Sequence, residues 1–239
     1  MSTEFNLLFR HATQDIFRRY FLTAIRYPLS AIRYPGQLNG LTAFDLNHHS
    51  VNNNDVVTLD AVGSSYPLMG FWVPQGGSCV IPANPGTESF VFTPDFSGCS
   101  LLVDQIDANQ YRVYHVQGGS NYLQKEYLSA HERHGLGLAA SMIFDDYGDT
   151  TRPRGFAFLK YENERWWIYY QRHNGLGINY SNGRFRTMGP QTVRGGGRIP
   201  VADLTSEVPR INGRHSGQHL PVTRHIRAAQ RMLPNDEVW

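Results

Sequence analysis

Two residues that can cooperate in nucleophilic catalysis, a cysteine and a histidine, are predicted to meet at the open end of one β-hairpin. The runs 100–106 and 111–116 are rich in apolar, β-branched and aromatic residues, and a turn at 107–109 separates them. This pattern is typical of two antiparallel strands. Cys99 comes directly before the first strand and His115 near the end of the second. Antiparallel pairing therefore brings the thiol close to the imidazole, although 16 positions separate them in the sequence.

A cysteine beside a histidine is an arrangement that nucleophilic catalysis uses. A thiol is a poor nucleophile at neutral pH, whereas a thiolate paired with an imidazolium is a strong one. Gly98 precedes Cys99, and glycine allows the backbone to approach a substrate closely. The backbone amides from Gly98 to Ser100 are therefore predicted to bind a developing oxyanion. The sequence thus predicts Cys99 as the nucleophile and His115 as its base.

A structural role for the same two residues stays open at this point. Cysteine outside disulfides is among the most buried residue types, and His115 can be an ordinary strand residue. A slip of one residue in the hairpin register would send His115 to the opposite face of the sheet. Three other histidines could reach the thiol through tertiary contacts: His131, His134 and His173.

The segment Thr93-Pro-Asp-Phe-Ser-Gly-Cys99 resembles the active-site segment of the cytotoxic necrotizing factor and Burkholderia lethal factor superfamily, which consists of cysteine-dependent glutamine deamidase toxins. In that superfamily a small residue, a glycine and the cysteine follow a strand, and a histidine lies on the next strand. The resemblance covers roughly a third of the chain, residues 55–125. It implies that Cys99 and His115 are catalytic, with Thr93 as the residue that orients the imidazole, and that no cofactor takes part.

The resemblance further implies a bacterial toxin or secreted effector that converts a glutamine of a host protein to glutamate. Cys99 would attack the side-chain carboxamide, His115 would protonate the departing ammonia, and water would hydrolyse the thioester. The expected partner is a host protein substrate, either a small GTPase or a translation factor such as an initiation helicase.

Other functions remain open. Transglutamination would use the same thioester with an amine in place of water. A non-catalytic binding module is a further alternative, in which Cys79 and Cys99 form a structural disulfide. Cysteine protease action is less favoured, because no papain-type Cys-Gly-x-Cys-Trp segment is present.

Charge and hydropathy limit the range of partners. The formal charge of +2 is too small to indicate a nucleic-acid partner, and we expect none. No run of 18 apolar residues occurs, so no membrane span is expected. The N-terminal residues lack the pattern of a secretory signal. We therefore expect a monomer that a dedicated system secretes without a classical signal peptide and that acts in the host cytosol.

No metal site is predicted either. His131 and His134 lie three residues apart, a spacing that suits metal ligation on a helix only with a third ligand from elsewhere. No His-Glu-x-x-His segment or closely spaced cysteine pair accompanies them. Two solvent-exposed histidines are the favoured interpretation.

Strand-forming runs outnumber helical ones, and they come largely in hairpins, at 100–116 and 155–171. Helices are expected over 7–25 and over most of 121–143. The predicted class is therefore α/β (α+β), a sandwich of mixed, mostly antiparallel β-sheets flanked by helices. The toxin superfamily that the chain resembles has that layout.

We expect a single catalytic domain over residues 1–239. An N-terminal helix and connector would occupy residues 1–54, with a loop over 38–54. The sheet core would occupy residues 55–190, and a basic segment with a last helix at 222–233 would occupy residues 191–239.

Overall fold

The computed structural model of the chain describes most of the predicted core and part of each flanking segment. The described residues are 2–24, 42–51, 53–60, 65–86, 89–129, 134–175, 177–182, 184–206 and 237–238. The last predicted helix, at 222–233, lies outside them, as does His131.

Two helices begin the chain, α1 (Ser2–His11) and α2 (Thr13–Arg19). Their apolar residues recur at helical spacing, and Phe9 and Phe17 are fully buried. Lys160 fastens the junction between the helices to the sheet, because its Nζ donates to the carbonyl of Arg10 at 3.0 Å and to Thr13 Oγ1 at 2.9 Å.

The larger of the sheets contains ten strands among the described residues. They are β1 (Phe21–Thr23), β2 (Thr42–Val51), β3 (Asn54–Asp60), β4 (Leu68–Trp72), β6 (Phe90–Phe92), β7 (Phe96–Ser97), β11 (Arg154–Glu162), β12 (Arg165–His173), β15 (Val193–Pro200) and β16 (Glu237–Val238). Their order is β1-β3-β2-β4-β6-β11-β12-β15-β16, and β7 also pairs with β11. The β1–β3 and β4–β6 pairs are parallel, and the remaining pairs are antiparallel.

This large sheet curls strongly enough to bring its first strand against β12. The ring of Phe21 lies 3.9 Å from that of His173, and the backbone N–H of Leu22 donates to Gln171 Oε1 at 3.1 Å. The curled sheet and the two helices enclose one aromatic core, in which Phe17 packs edge-on against Phe158 at 5.1 Å.

A smaller sheet of four antiparallel strands lies against the other face of the large sheet. Its strands are β5 (Ser78–Pro82), β8 (Ser100–Gln105), β9 (Gln110–Val116) and β10 (Gly137–Met142), in the order β10-β8-β9-β5. Residues of both sheets share one buried cluster, with Val103 and Met142 from the small sheet and Leu159 and Ile168 from the large one. The outer face of the small sheet is covered by the π-helical turn Leu123–Tyr127, through Tyr127 and Leu123. The short helix α3 (Ser120–Tyr122) precedes this turn.

Two short elements complete the described fold. Helix α4 (Phe144–Tyr147) follows the small sheet, and a separate hairpin consists of β13 (Gly177–Ser181) and β14 (Arg184–Met188). This hairpin lies between β12 and β15 in the chain, so it connects to the end of the large sheet at which β12 finishes and β15 begins.

The predicted sheets are confirmed as mixed and mostly antiparallel, but the α/β (α+β) class is confirmed only in that respect. The described structure is mostly β-sheet with a strongly curved large sheet. The helix expected over most of 121–143 is wrong in its second half, which forms β10, because an apolar run suits a buried strand as well as a helix.

The segment assigned to an N-terminal connector contributes strands. Residues 42–51, expected in a loop, form β2, which pairs with β3 and β4. Backbone pairing on both sides stabilises this strand in spite of its polar composition. The division into three segments within a single catalytic domain stays a prediction.

Candidate functional site

The predicted hairpin forms with the expected register. Ser100 pairs with Val116, and Leu101 pairs with His115. Since side chains alternate along a strand, Cys99 and Leu101 share a face of the sheet with His115. That face lies toward the cluster between the two sheets, where Cys99 and Leu101 are buried and His115 is fully buried as well.

His115 is held in one tautomer by a threonine. Its Nδ1 lies 2.6 Å from Thr93 Oγ1, and the Thr93 hydroxyl donates to the carbonyl of Val73 at 2.7 Å. A hydroxyl has one hydrogen to donate, so Thr93 accepts from Nδ1–H of His115. The other ring nitrogen, Nε2, therefore carries the lone pair, and it is buried without a hydrogen-bond partner among the described residues.

The imidazole plane is fixed by an aromatic ring. Phe96 stacks on His115 with ring centroids 4.3 Å apart and an interplanar angle of 3°. Together with the Thr93 contact, this stacking restrains the direction of the Nε2 lone pair.

Cys99 lies among hydrogen-bond donors. The residue is 3% exposed, Gln75 Nε2 approaches Sγ at 3.7 Å, and the backbone N–H groups of Ser97 and Gly118 also contact the sulfur. Gly118 has to be a glycine at this point, because a Cβ there would lie 2.6 Å from the carbonyl oxygen of Gly98.

Burial keeps both groups uncharged. It lowers the pKa of His115 to about 3. Burial also raises the pKa of the Cys99 thiol, and the surrounding N–H donors offset only part of that effect. At neutral pH this conformation therefore holds a neutral thiol near a neutral imidazole, without the thiolate–imidazolium pair that the sequence analysis expected.

The amides proposed as an oxyanion hole are already engaged. The N–H of Gly98, whose φ is 93°, donates to Tyr147 Oη at 2.9 Å, and the Tyr147 hydroxyl donates to the carbonyl of Cys99 at 2.8 Å. Ser100 is paired with Val116 in the sheet. An acyl oxygen could bind the Gly98 amide only if Tyr147 moved.

Sequence reasoning missed Gln75 and Tyr147 as neighbours of the thiol. Gln75 lies in a turn whose backbone is hydrogen-bonded to the backbone of His115. Gly76 N donates to the His115 carbonyl at 2.8 Å, and His115 N donates to the Gly77 carbonyl at 3.1 Å. The Gly-Gly pair signals this turn, but nothing local predicts which strand the turn meets. Tyr147 reaches the thiol loop from 48 residues away.

The binding-module alternative included a disulfide between Cys79 and Cys99. That disulfide is wrong, because both cysteines are thiols. Cys79 lies in β5 opposite Val113. Burial raises the pKa of Cys79 to about 11, although Arg112 opposes this shift.

The other candidate histidines in the described residues make contacts away from the thiol. His134 Nδ1 bonds to the buried carboxylate of Asp104, and His173 Nε2 lies 3.0 Å from Gln171 Oε1. Across the described ranges, no group of three histidine, cysteine, aspartate or glutamate residues is placed to hold a metal ion.

None of the helices among the described residues is both long enough and apolar enough to span a bilayer.

Comparison with known proteins gives one family match. Residues 78–186 match the family described as the Mcf1 activator-binding domain, which corresponds to 109 of the 239 residues. The matched region includes Cys99 and His115 and begins at the first residue of β5. No curated protein matches the chain.

This match corrects the main functional interpretation. The chain resembles a different family from the deamidase toxin superfamily, so the resemblance drawn from Thr93 to Cys99 is wrong. The interpretation as a toxin or effector that deamidates glutamine in a host protein is wrong with it, and the non-catalytic binding module agrees better with the match. A segment of seven residues was too short to distinguish the two families.

Proposed function

We propose that this chain is a protein-binding module and that its partner binds within residues 78–186. The observation that carries the proposal is the match of this region to a domain described as activator-binding. The region contains every strand of the small sheet and the helical turns on its outer face.

The surface of the matched region supports this function. Tyr122 is 43% exposed and Leu136 is 53% exposed. Tyr122 belongs to α3, and Leu136 directly precedes β10, next to the small sheet. Exposed aromatic residues are enriched among the residues that contribute most to protein interfaces.

Site-specific photo-crosslinking tests the proposal. The photoreactive residue p-benzoylphenylalanine replaces Tyr122, and in a matched control it replaces Tyr66, which is 58% exposed and lies outside the matched region. After irradiation in a cell lysate, mass spectrometry identifies the adducts. We expect one discrete protein adduct from position 122 and none of that protein from position 66. The same adduct from both positions, or from neither, would count against binding within 78–186.

A second candidate function, cysteine-dependent acyl transfer, is supported by the oriented imidazole. The Nε2 lone pair of His115 is the group that would accept the thiol proton of Cys99, and the Thr93 hydroxyl holds the neutral ring in the tautomer that presents this lone pair. The sulfur already contacts N–H donors from Gln75 and Gly118. The reaction requires a rearrangement, since Nε2 has no hydrogen-bond partner among the described residues.

An activated ester separates this candidate from simple binding. With p-nitrophenyl acetate, the sulfur would bond to the acyl carbon and nitrophenolate would leave, while the thiol proton would pass to His115. A burst of nitrophenolate that Cys99→Ala abolishes and Cys79→Ala preserves is the expected result. Equal bursts from the two variants would exclude Cys99 as the nucleophile.

A further inference from the structure

The Cys99 thiol lies directly beneath the surface of the protein. Gln75 and Ser97 are exposed residues, yet each provides an N–H group that contacts the sulfur, and Gly118 provides a third. Cys99 itself is 3% exposed. A cover that is a single layer of residues thick therefore separates the thiol from solvent, and a small local movement would expose it.

Residues 117–118 form one side of this cover. Gly118 packs so closely on the loop before Cys99 that a Cβ there would lie 2.6 Å from the carbonyl oxygen of Gly98. Gly119 follows with a φ of 106°, a conformation that glycine adopts readily and other residues rarely do. Two consecutive glycines thus join this side of the cover to α3, and the backbone can rotate there at little steric cost.

The carboxylate of Glu126 holds this side of the cover in place. Its Oε2 accepts a hydrogen bond from the backbone N–H of Gln117 at 2.7 Å, and its Oε1 accepts one from Gln117 Nε2 at 3.0 Å. Hydrogen bonds to a charged acceptor are stronger than those between neutral groups. We refer to this double contact between Gln117 and Glu126 as the latch.

Glu126 is the fixed side of the latch. It belongs to the π-helical turn Leu123–Tyr127, and π-helical turns occur frequently at functional sites. Tyr127 is buried, and its hydroxyl donates to Asp104 Oδ1 at 2.7 Å. Because this bond fastens the turn to β8, the Glu126 carboxylate has a stable position from which to hold Gln117.

The other side of the cover meets the latch at Gly76. A Cβ on Gly76 would lie 2.7 Å from Gln117 Nε2 and 3.1 Å from Glu126 Oε1, so its backbone lies directly against both groups. Gly76 follows Gln75, whose side chain contacts the sulfur. Both sides of the cover therefore depend on where the latch places Gln117.

The charge of Glu126 also acts on the thiol. Burial is the main cause of the raised pKa of Cys99, and the negative charge of Glu126 adds to it. The residue that holds the cover closed thus also disfavours the thiolate.

We propose that the latch controls access to Cys99. While Glu126 holds Gln117, the cover is closed and the thiol reacts slowly, and release of Gln117 opens the cover. The conformation described above is then the closed state of the site. Glu126 is a positioning residue, since it acts through Gln117. This inference goes beyond the proposed protein-binding function and does not depend on it, because it rests on contacts around the thiol alone.

Thiol modification of the full chain measures how readily the cover opens. Dithiodipyridine is an uncharged disulfide reagent. A thiolate displaces thiopyridone from it and forms a mixed disulfide, and absorbance follows the release. A Cys79→Ala background leaves Cys99 as the one thiol of the chain, and a Cys99→Ala background leaves Cys79.

Gln117→Ala breaks one arm of the latch without changing the charge near the thiol. Its matched control is Gln124→Ala, at an exposed residue of the π-helical turn. We expect Cys99 to react about tenfold faster in Gln117→Ala, as for the loss of one hydrogen bond to a charged group, and less than about twofold faster in Gln124→Ala. The rate of Cys79, which is 1% exposed, should stay unchanged in both variants, because the opening is local.

Glu126→Ala removes both arms of the latch and should accelerate the reaction of Cys99 further. Since the two residues act through one contact, their effects should not multiply. Gln117→Ala/Glu126→Ala should react within about twofold of Glu126→Ala alone.

Equal Cys99 rates in Gln117→Ala and Gln124→Ala would overturn the proposal, and so would effects of Gln117→Ala and Glu126→Ala that multiply in the double variant. Acceleration of Cys79 together with Cys99 would also overturn it, because that result indicates a general loosening of the small sheet. The measurement needs no partner protein. Its failure would leave the crosslink from position 122 unaffected, and absence of that crosslink would leave the latch unaffected.

Discussion

At the scale of single residues, Thr93 decides what His115 can do. The Thr93 hydroxyl donates its one hydrogen to the Val73 carbonyl, so it accepts a hydrogen bond from His115 Nδ1. The same contact that would prepare a general base also satisfies a buried polar network, and the two roles have different consequences when Thr93 is changed.

Thr93→Val removes the hydroxyl from this network while keeping the shape of the side chain. The Val73 carbonyl and His115 Nδ1 would both lose a buried partner, which we expect to lower the free energy of unfolding by roughly 1–3 kcal/mol. Chemical denaturation measures the change. Thr93→Ser, which restores the hydroxyl, should recover most of the loss, and a valine variant as stable as wild type would show that the contact contributes nothing.

Asp95 provides a residue-scale prediction for pH. It is half-buried, and it accepts from Thr23 Oγ1 at 2.5 Å and from the Ala24 N–H at 2.7 Å. Burial raises the pKa of Asp95 from 3.8 to about 6 in spite of these donors. The folded state therefore binds more protons than the unfolded state between these two values, so the contribution of Asp95 to stability falls as the pH rises from about 4 to about 6.

The difference in unfolding free energy between wild type and Asp95→Asn isolates this effect from other titrating groups. It should shift in favour of the variant as the pH rises through that interval. Asp149→Asn is the control, because hydrogen bonds from Thr151 lower the pKa of Asp149 to about 2. Its difference from wild type should shift in favour of wild type as the pH rises from about 2 to about 4 and stay constant between about pH 4 and 6. A pH-independent difference for Asp95→Asn would contradict the raised pKa.

At the scale of elements, local patterns predicted the hairpins and failed elsewhere. The β8–β9 and β11–β12 hairpins have strong strand-forming runs on either side of a short turn, and the structure has both. Strand β2 could not be predicted from its polar sequence, because its stability comes from neighbours that are distant in the chain. The contacts of Gln75 and Tyr147 with the Cys99 loop are equally non-local.

The helices depend on packing into the curled sheet. Phe17 is fully buried against Phe158, whereas Leu8 on α1 is 48% exposed. We expect Phe17→Ala to lower the free energy of unfolding by about 3–5 kcal/mol through lost contacts and a cavity. Leu8→Ala should change it by less than about 0.5 kcal/mol. Similar losses for both variants, measured by denaturant unfolding, would mean that the helices do not pack as described.

At the scale of the whole molecule, the small sheet contributes both to the buried Cys99 site and to the proposed binding region. One face packs on the large sheet and buries Cys99 and His115, while the matched region presents Tyr122 and Leu136 to solvent. The sequence predicted the pairing of the cysteine and histidine strands, but it could not predict their burial. That burial depends on a sheet whose strands come from both ends of the chain.

Hydrogen–deuterium exchange of the full chain tests the central claim most directly, with the protein identified by the crosslink at position 122 as the added partner. Amides within residues 78–186 should exchange more slowly in the complex, and those of α1, α2 and β3 should keep their rates. Protection confined to residues outside 78–186 would contradict the proposal that this region is the binding module.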